Sequence, residues 1–275
     1  MIKIKSIFGK KVISIVFVLF MPLVAYGVPF SSDVIIDGSI TFDSTYSSVA
    51  GTTQSGSISS LVSGASSSNT ITGATITGSD SLAGTLTDIG DGFGSMFSMS
   101  GNQNGHAGEL YSDYAFNISN NSLTDQYLVS FNISYSNFVN GDGSDAYADS
   151  QFSLLNANTF AELFFTDLTS DTLFGDKENG TDLGSFGASI LDVDTISLDF
   201  ILNPLTSIDL SGLNALEGGV FDDFSAFNGS LSTFISVANI ENLTDPGTSV
   251  PAPPTMYLMF IGLLGLLLGR RKKLH

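Results

Sequence analysis

The chain has 275 residues, with 27 Asp+Glu against 9 Lys+Arg, a net charge of −18, 29 Gly, 22 Phe, and neither Cys nor Trp. That length suits one medium domain, and the missing cysteines exclude disulfide staples, thiol redox chemistry and Cys-ligated metals. Eight basic residues sit at the two ends, so the stretch from Asp33 to Asp245 carries 27 acids against Lys177 alone, a net −26, which argues against nucleic acid as a partner.

Residues 1–27 have the three parts of a secretory signal peptide. Lys3, Lys5, Lys10 and Lys11 come first, then a 13-residue apolar run from Val12 to Val24, then Ala25-Tyr26-Gly27 as a small-x-small cleavage site. Thirteen residues fall short of the roughly 20 a bilayer span needs. The expected partners are therefore Sec-type export machinery and a signal peptidase that reads Ala25 and Gly27.

Charged residues make up 13% of the chain and aromatics 11%, too apolar a balance for a disordered acidic protein, so residues 28–244 should hold a folded core. From Ser31 to Thr87 the chain is rich in Ser, Thr and Gly, with β-branched residues in Gly38–Phe42 and Thr70–Thr72. This predicts short polar strands joined by Gly turns. Bulky residues are sparse from Val49 to Ser68, where a mobile loop and strands are equal readings. Gly84–Gly94 packs glycines around Asp88 and Asp91 and predicts tight turns.

Tyr127, Val129, Phe131, Ile133 and Tyr135 alternate with smaller or polar residues, the strongest strand pattern in the chain. Asn140–Ser144 then reads as a turn into a strand over Asp145–Leu155, making a hairpin. Thr159–Leu168 is open between strand and short helix. Further strands are expected over Ile196–Leu202 and Leu231–Ile240. About ten such segments without sustained helical periodicity predict an all-β fold, an antiparallel β-sandwich or jelly-roll-like ectodomain, flanked by helical terminal segments.

Chemistry is thinly signalled. His106 is the only histidine before the last residue, and a Ser-His-Asp site needs more than a lone imidazole in a Gly-rich segment. Asp192, Asp194, Asp199, Asp222 and Asp223 are nominal carboxylates for glycoside hydrolysis, without a pattern that pairs them. Asn140-x-Asp142-x-Ser144 starts like a calcium loop, but its twelfth position is Gln151, so an Asx-rich turn is the better reading. No cofactor or metal residue is therefore assigned, and only weak calcium binding is left open.

Residues 245–254 are a Pro-rich linker that contains the motif Val250-Pro251-Ala252-Pro253, and a 13-residue apolar run from Met256 to Leu268 and the cluster Arg270, Arg271, Lys272 and Lys273 follow it. The order of Pro-rich motif, short Gly/Leu-rich helix and terminal basic cluster resembles the PEP-CTERM sorting signal of Gram-negative bacteria, with Ala252 where the usual tripeptide has Glu. The resemblance implies transient inner-membrane retention through residues 255–275, processing by an exosortase-like enzyme, and delivery to the cell surface or extracellular matrix, as in a biofilm. It implies nothing about the body's chemistry. The body is expected to be a non-catalytic structural or interaction protein, with extracellular polysaccharide as a partner. The alternative is a carbohydrate-binding or carbohydrate-cleaving module, discriminated by whether Tyr111, Tyr114, Tyr127, Tyr135 and Tyr147 share one outer face.

Overall fold

The computed structural model describes residues 30–43, 51–72, 79–102 and 104–244, and every regular element in them is a strand. In chain order these are β1 (Val34–Asp43), β2 (Thr52–Val62), β3 (Ala65–Thr72), β4 (Ser79–Leu86), β5 (Gly92–Gly101), β6 (Gly105–Asn120) and β7 (Tyr127–Asp142). There follow β8 (Ala146–Asn156), β9 (Ala161–Asp171), β10 (Lys177–Glu178), β11 (Thr181–Asp182), β12 (Ile190–Leu202), β13 (Ser207–Val220) and β14 (Ala226–Asn242).

Two antiparallel sheets form a β-sandwich: an eight-stranded sheet in the order β11-β10-β9-β8-β13-β6-β1-β4, and a six-stranded sheet in the order β12-β7-β14-β5-β2-β3. Alternation decides which side chains lie between them. In β7, Tyr127, Val129, Phe131, Ile133, Tyr135 and Val139 are buried. All of these but Tyr135 join Phe116, Ile118, Phe152 and Leu154 of the facing sheet in one continuous core. Edge-to-face rings run through it, Phe93–Phe116 at 5.9 Å and Phe116–Phe131 at 5.7 Å, a geometry that adds roughly 0.5–1.5 kcal/mol per pair beyond burial.

Two readings left open by the sequence are decided and one expectation is corrected. Residues 52–62 and 65–72 are strands, so the loop reading of Val49–Ser68 fails over the described part. Here β2 packs inward through Gln54, Gly56, Ile58 and Ser60, because neighbouring strands supply the bulk. Phe42 and Phe97 meet edge-on at 5.5 Å, and a Cβ on Gly56 would stand 3.0 Å from the Phe42 ring.

The expected hairpin over Tyr127–Leu155 does not form. Its two strands exist, but β7 pairs with β12 and β14 while β8 pairs with β9 and β13. The connection crosses between sheets. Ser225 holds it, its Oγ accepting from the Ser144 and Asp145 amides at 2.8 and 3.0 Å. Of the two readings open for Thr159–Leu168, the strand is the one observed, from Ala161 onward, and the segment contains no helix. Asn156 Oδ1 accepts from the Asn158 and Thr159 amides, Phe160 takes a positive φ, and the chain turns back as β9 on β8.

Polar side chains fix one sheet on the other. Asn214 of β13 donates to Ser95, to Thr233 at 2.6 Å and to Tyr114 at 3.2 Å, while the Tyr114 hydroxyl lies 2.5 Å from Thr233. Burial pushes the Tyr114 phenol up to about 12, against the opposing pull of those hydrogen bonds. A second cross-sheet pair joins Asn137 of β7 to Ser150 of β8. Buried networks of this kind reject sliding of the sheets, because any shift strands their members.

Candidate functional site

The residues marked for sorting and cleavage, Ala25, Gly27, Val250, Pro251, Ala252, Pro253, Arg270, Arg271, Lys272 and Lys273, all lie outside the described residues. Within the body, the nominal carboxylates do not converge. Asp192, Asp194 and Asp199 are spread along edge strand β12, and Asp222 and Asp223 occupy the β13–β14 turn. Several are bound locally: Asp192 accepts from Tyr135 at 3.2 Å and Thr166 at 2.8 Å, Asp199 from Ser130 at 2.6 Å, and Asp222 from Ser144 and the Phe224 amide. His106 lies on β6 with its backbone opposite Gly219. Among the described residues, no group of three or more His, Asp or Glu is arranged to hold a metal ion.

The five tyrosines are divided. Tyr114, Tyr127 and Tyr135 are buried, whereas Tyr111 and Tyr147 are half-buried. A shared tyrosine face is therefore absent among them, but Tyr147 belongs to another grouping. Its ring stacks on Phe221 with centroids 6.0 Å apart and planes 9° from parallel. The two rings line a cleft of about 370 Å³ with Asp149, Asp171, Phe174 and Glu217. Phe174 is 82% exposed and Phe221 53% exposed, so the aromatic surface is at the rim, where single exposed rings do not usually gather.

Strand register builds the floor of this cleft. Across the eight-stranded sheet, Thr169 of β9 lies opposite Asp149 of β8, which lies opposite Glu217 of β13. One step along, Asp171, Tyr147 and Gly219 form the parallel row. Directly opposed residues have Cβ atoms about 5 Å apart, so the Asp149 and Glu217 carboxyls are neighbours. The β6–β13 ladder slips here, with Gly108 and Glu109 both facing Glu217. Such a bulge re-aims side chains locally.

These carboxyls are costly to ionise. Burial pushes Asp149 up to about 6, assisted by Glu217, Asp167 and Asp171 and opposed by a hydrogen bond from Thr169. Burial raises Glu217 too, with Glu109 adding repulsion. Asp167 is raised by burial, which Lys177 counters. Asp149 Oδ1 is buried and has no hydrogen-bond partner. Perturbed carboxyls gathered in a cleft mark a functional candidate on physical grounds.

The alternation of β8 already put Tyr147, Asp149 and Gln151 on one outer side. What that pattern lacked was Glu217 and Phe221, far along the chain and brought over by the β8–β13 pairing. No protein-family model matches the chain, and no curated protein does. Among solved structures, infectious bursal disease virus, Gx strain, aligns over 83% of this chain and 71% of its own at 9% identity and a TM-score of 0.16. A bacterial lipoprotein from Bacteroides thetaiotaomicron aligns over 76% and 86% at 10% identity and a TM-score of 0.21. Similarity that slight carries no argument about fold or function.

Proposed function

We propose that this chain is an exported, non-catalytic surface or extracellular-matrix protein, sorted through its PEP-CTERM-like tail. The observation that carries the reading is the segregation of charge: basic clusters beside two short apolar runs at the ends, and a net −26 between them. That charge keeps a body soluble outside the cell and favours association through its surface. The expected partners are Sec-type export machinery, signal peptidase, an exosortase-like enzyme and extracellular polysaccharide. The inner membrane holds the chain only transiently.

The winding of the body supports a jelly-roll-like assignment. Strand order β12-β7-β14-β5 faces β9-β8-β13-β6, the interleaving of two four-stranded sheets that a double Greek key produces. Such folds host binding and structural proteins alike, so the site has to supply the function. A second reading, a carbohydrate-binding or carbohydrate-cleaving module, is favoured by the Tyr147–Phe221 stack beside two adjacent carboxyls.

Intact-mass measurement and fractionation of the native protein, in cells with and without the sorting enzyme, test the leading reading. Enzyme-dependent loss of the residues after the Pro-rich motif, with release from the inner membrane, is expected. An intact tail held in the membrane in both strains would make the protein a single-pass anchored ectodomain instead.

A further inference from the structure

The cleft carries a chemistry that the sorting tail does not explain. Four carboxylate side chains line it, Asp145, Asp149, Asp171 and Glu217, and no basic side chain is among its described lining residues. An anionic polymer is repelled by such a lining. Asp149 Oδ1 is buried without a hydrogen-bond partner, so ionising that carboxyl costs free energy that a positive charge held beside it in the cleft would lower.

Beside the carboxyls, Tyr147 and Phe221 lie parallel at 6.0 Å and offer apolar ring surface. Aromatic faces take the flat side of a sugar ring, and they also attract an ammonium group. A neutral sugar would use the rings and leave the carboxylates uncompensated. A linear polyamine would compensate the charge and leave the flat surface poorly covered. A sugar bearing a protonated amine satisfies both halves of the cleft.

We propose that this cleft binds a protonated amino-sugar unit of a polysaccharide, the ring face against Tyr147 and Phe221 and the ammonium directed to Asp149 and Glu217. The volume, about 370 Å³, falls within the range of small-ligand sites. The inference rests on the matrix-protein reading for the origin of the polymer, while the binding itself is read independently of processing.

The test is calorimetric titration of the full-length chain, purified in detergent, with a fully deacetylated glucosamine tetramer and with its N-acetylated counterpart at about pH 6 and low salt. The deacetylated tetramer should bind at least roughly tenfold more tightly, a difference of about 1.4 kcal/mol. Asp149→Asn and Glu217→Gln, which keep shape while removing charge, should each weaken binding about tenfold or more, as should Tyr147→Ala. Asp199→Asn, on β12 in the other sheet, should leave binding unchanged. Cooperative melting of each variant separates lost binding from lost folding.

Equal affinity for both tetramers would overturn the proposal in favour of a neutral-sugar platform. Spermidine binding as tightly as the tetramer would overturn the sugar component, and failure of both tetramers to bind the folded wild-type chain would overturn the whole. Cleaved tetramer in the mass spectrum would make the cleft an active site and contradict a binding role. None of these outcomes bears on tail processing, so failure here and failure of the sorting reading are distinguishable.

Discussion

Two carboxylates near the β8–β9 ladder have opposite surroundings. Asp176, after β9, is buried, and its oxygens accept from the Asp171 and Gly187 amides at 3.1 and 2.8 Å and from the Ala188 amide at 2.9 Å. Desolvation pushes that carboxyl upward, but hydrogen bonds from Ser185 and those amides outweigh it and leave it below the usual range. Asp149, on β8, faces Glu217, Asp167 and Asp171, has an unpartnered Oδ1, and is pushed up to about 6 by burial first. Aspartate is thus a fastener where backbone N–H groups converge on it and a strained group where other acids do. The first arrangement serves the fold, and the second makes sense where a ligand relieves it.

The sharpest way to break this comparison is Asp176→Ala. It removes the carboxylate that accepts from three part-buried amides, of which that of Gly187 keeps a second bond, to the Asp171 carbonyl at 3.2 Å, and a loss of about 3 kcal/mol in urea unfolding is expected. A loss below about 0.5 kcal/mol would mean that the turn does not depend on its carboxylate. Next comes Gly218→Ala, beneath the cleft. A Cβ there would stand 2.4 Å from the Phe227 ring, so overpacking should cost about 2 kcal/mol, read as a lowered Tm.

The smallest effect has the opposite sign. The raised folded-state value of Asp149 means that the native protein binds more protons than the unfolded chain between about pH 4 and pH 6, so this group's contribution to stability falls as pH rises through that window. Asp149→Asn should therefore stabilise the protein by about 1 kcal/mol at pH 7, after discounting for partial exposure, and by nothing below about pH 4. Asp176 runs the other way: its contribution is present above the unfolded carboxyl value and lost as pH falls through the lower folded one. Melting curves across pH for Asp149→Asn beside the parent check the sign. If the variant is stabler and no longer binds the tetramer, Asp149 exchanges stability for function.

Strands differ in how plainly their own residues disclose them. The β7 alternation was plain because its inward residues are large, and so was the all-β character. In β2 the inward positions are Gln54, Gly56, Ile58 and Ser60, small or polar because Phe42 and Phe97 fill the space, and a local reading sees only missing bulk. Strand–turn–strand patterning also reveals nothing about which sheet the second strand joins. For β8 the partners are β9 and β13, and the crossing is held by Ser225, eighty residues along the chain. The cleft stayed hidden for the same reason. Asp149 looks like any outward aspartate until β13 brings Glu217 beside it.

Within a short stretch of the eight-stranded sheet, one acid is disfavoured as an anion and another is favoured. Carbon-13 NMR titration of the aspartate side-chain carboxyls measures both directly. Asp149 should titrate near pH 6, while Asp176 should titrate below the ordinary aspartate value of 3.8. Midpoints that coincide in the range of exposed aspartates would contradict the distinction between fastener and strained group, and with it the case for the cleft.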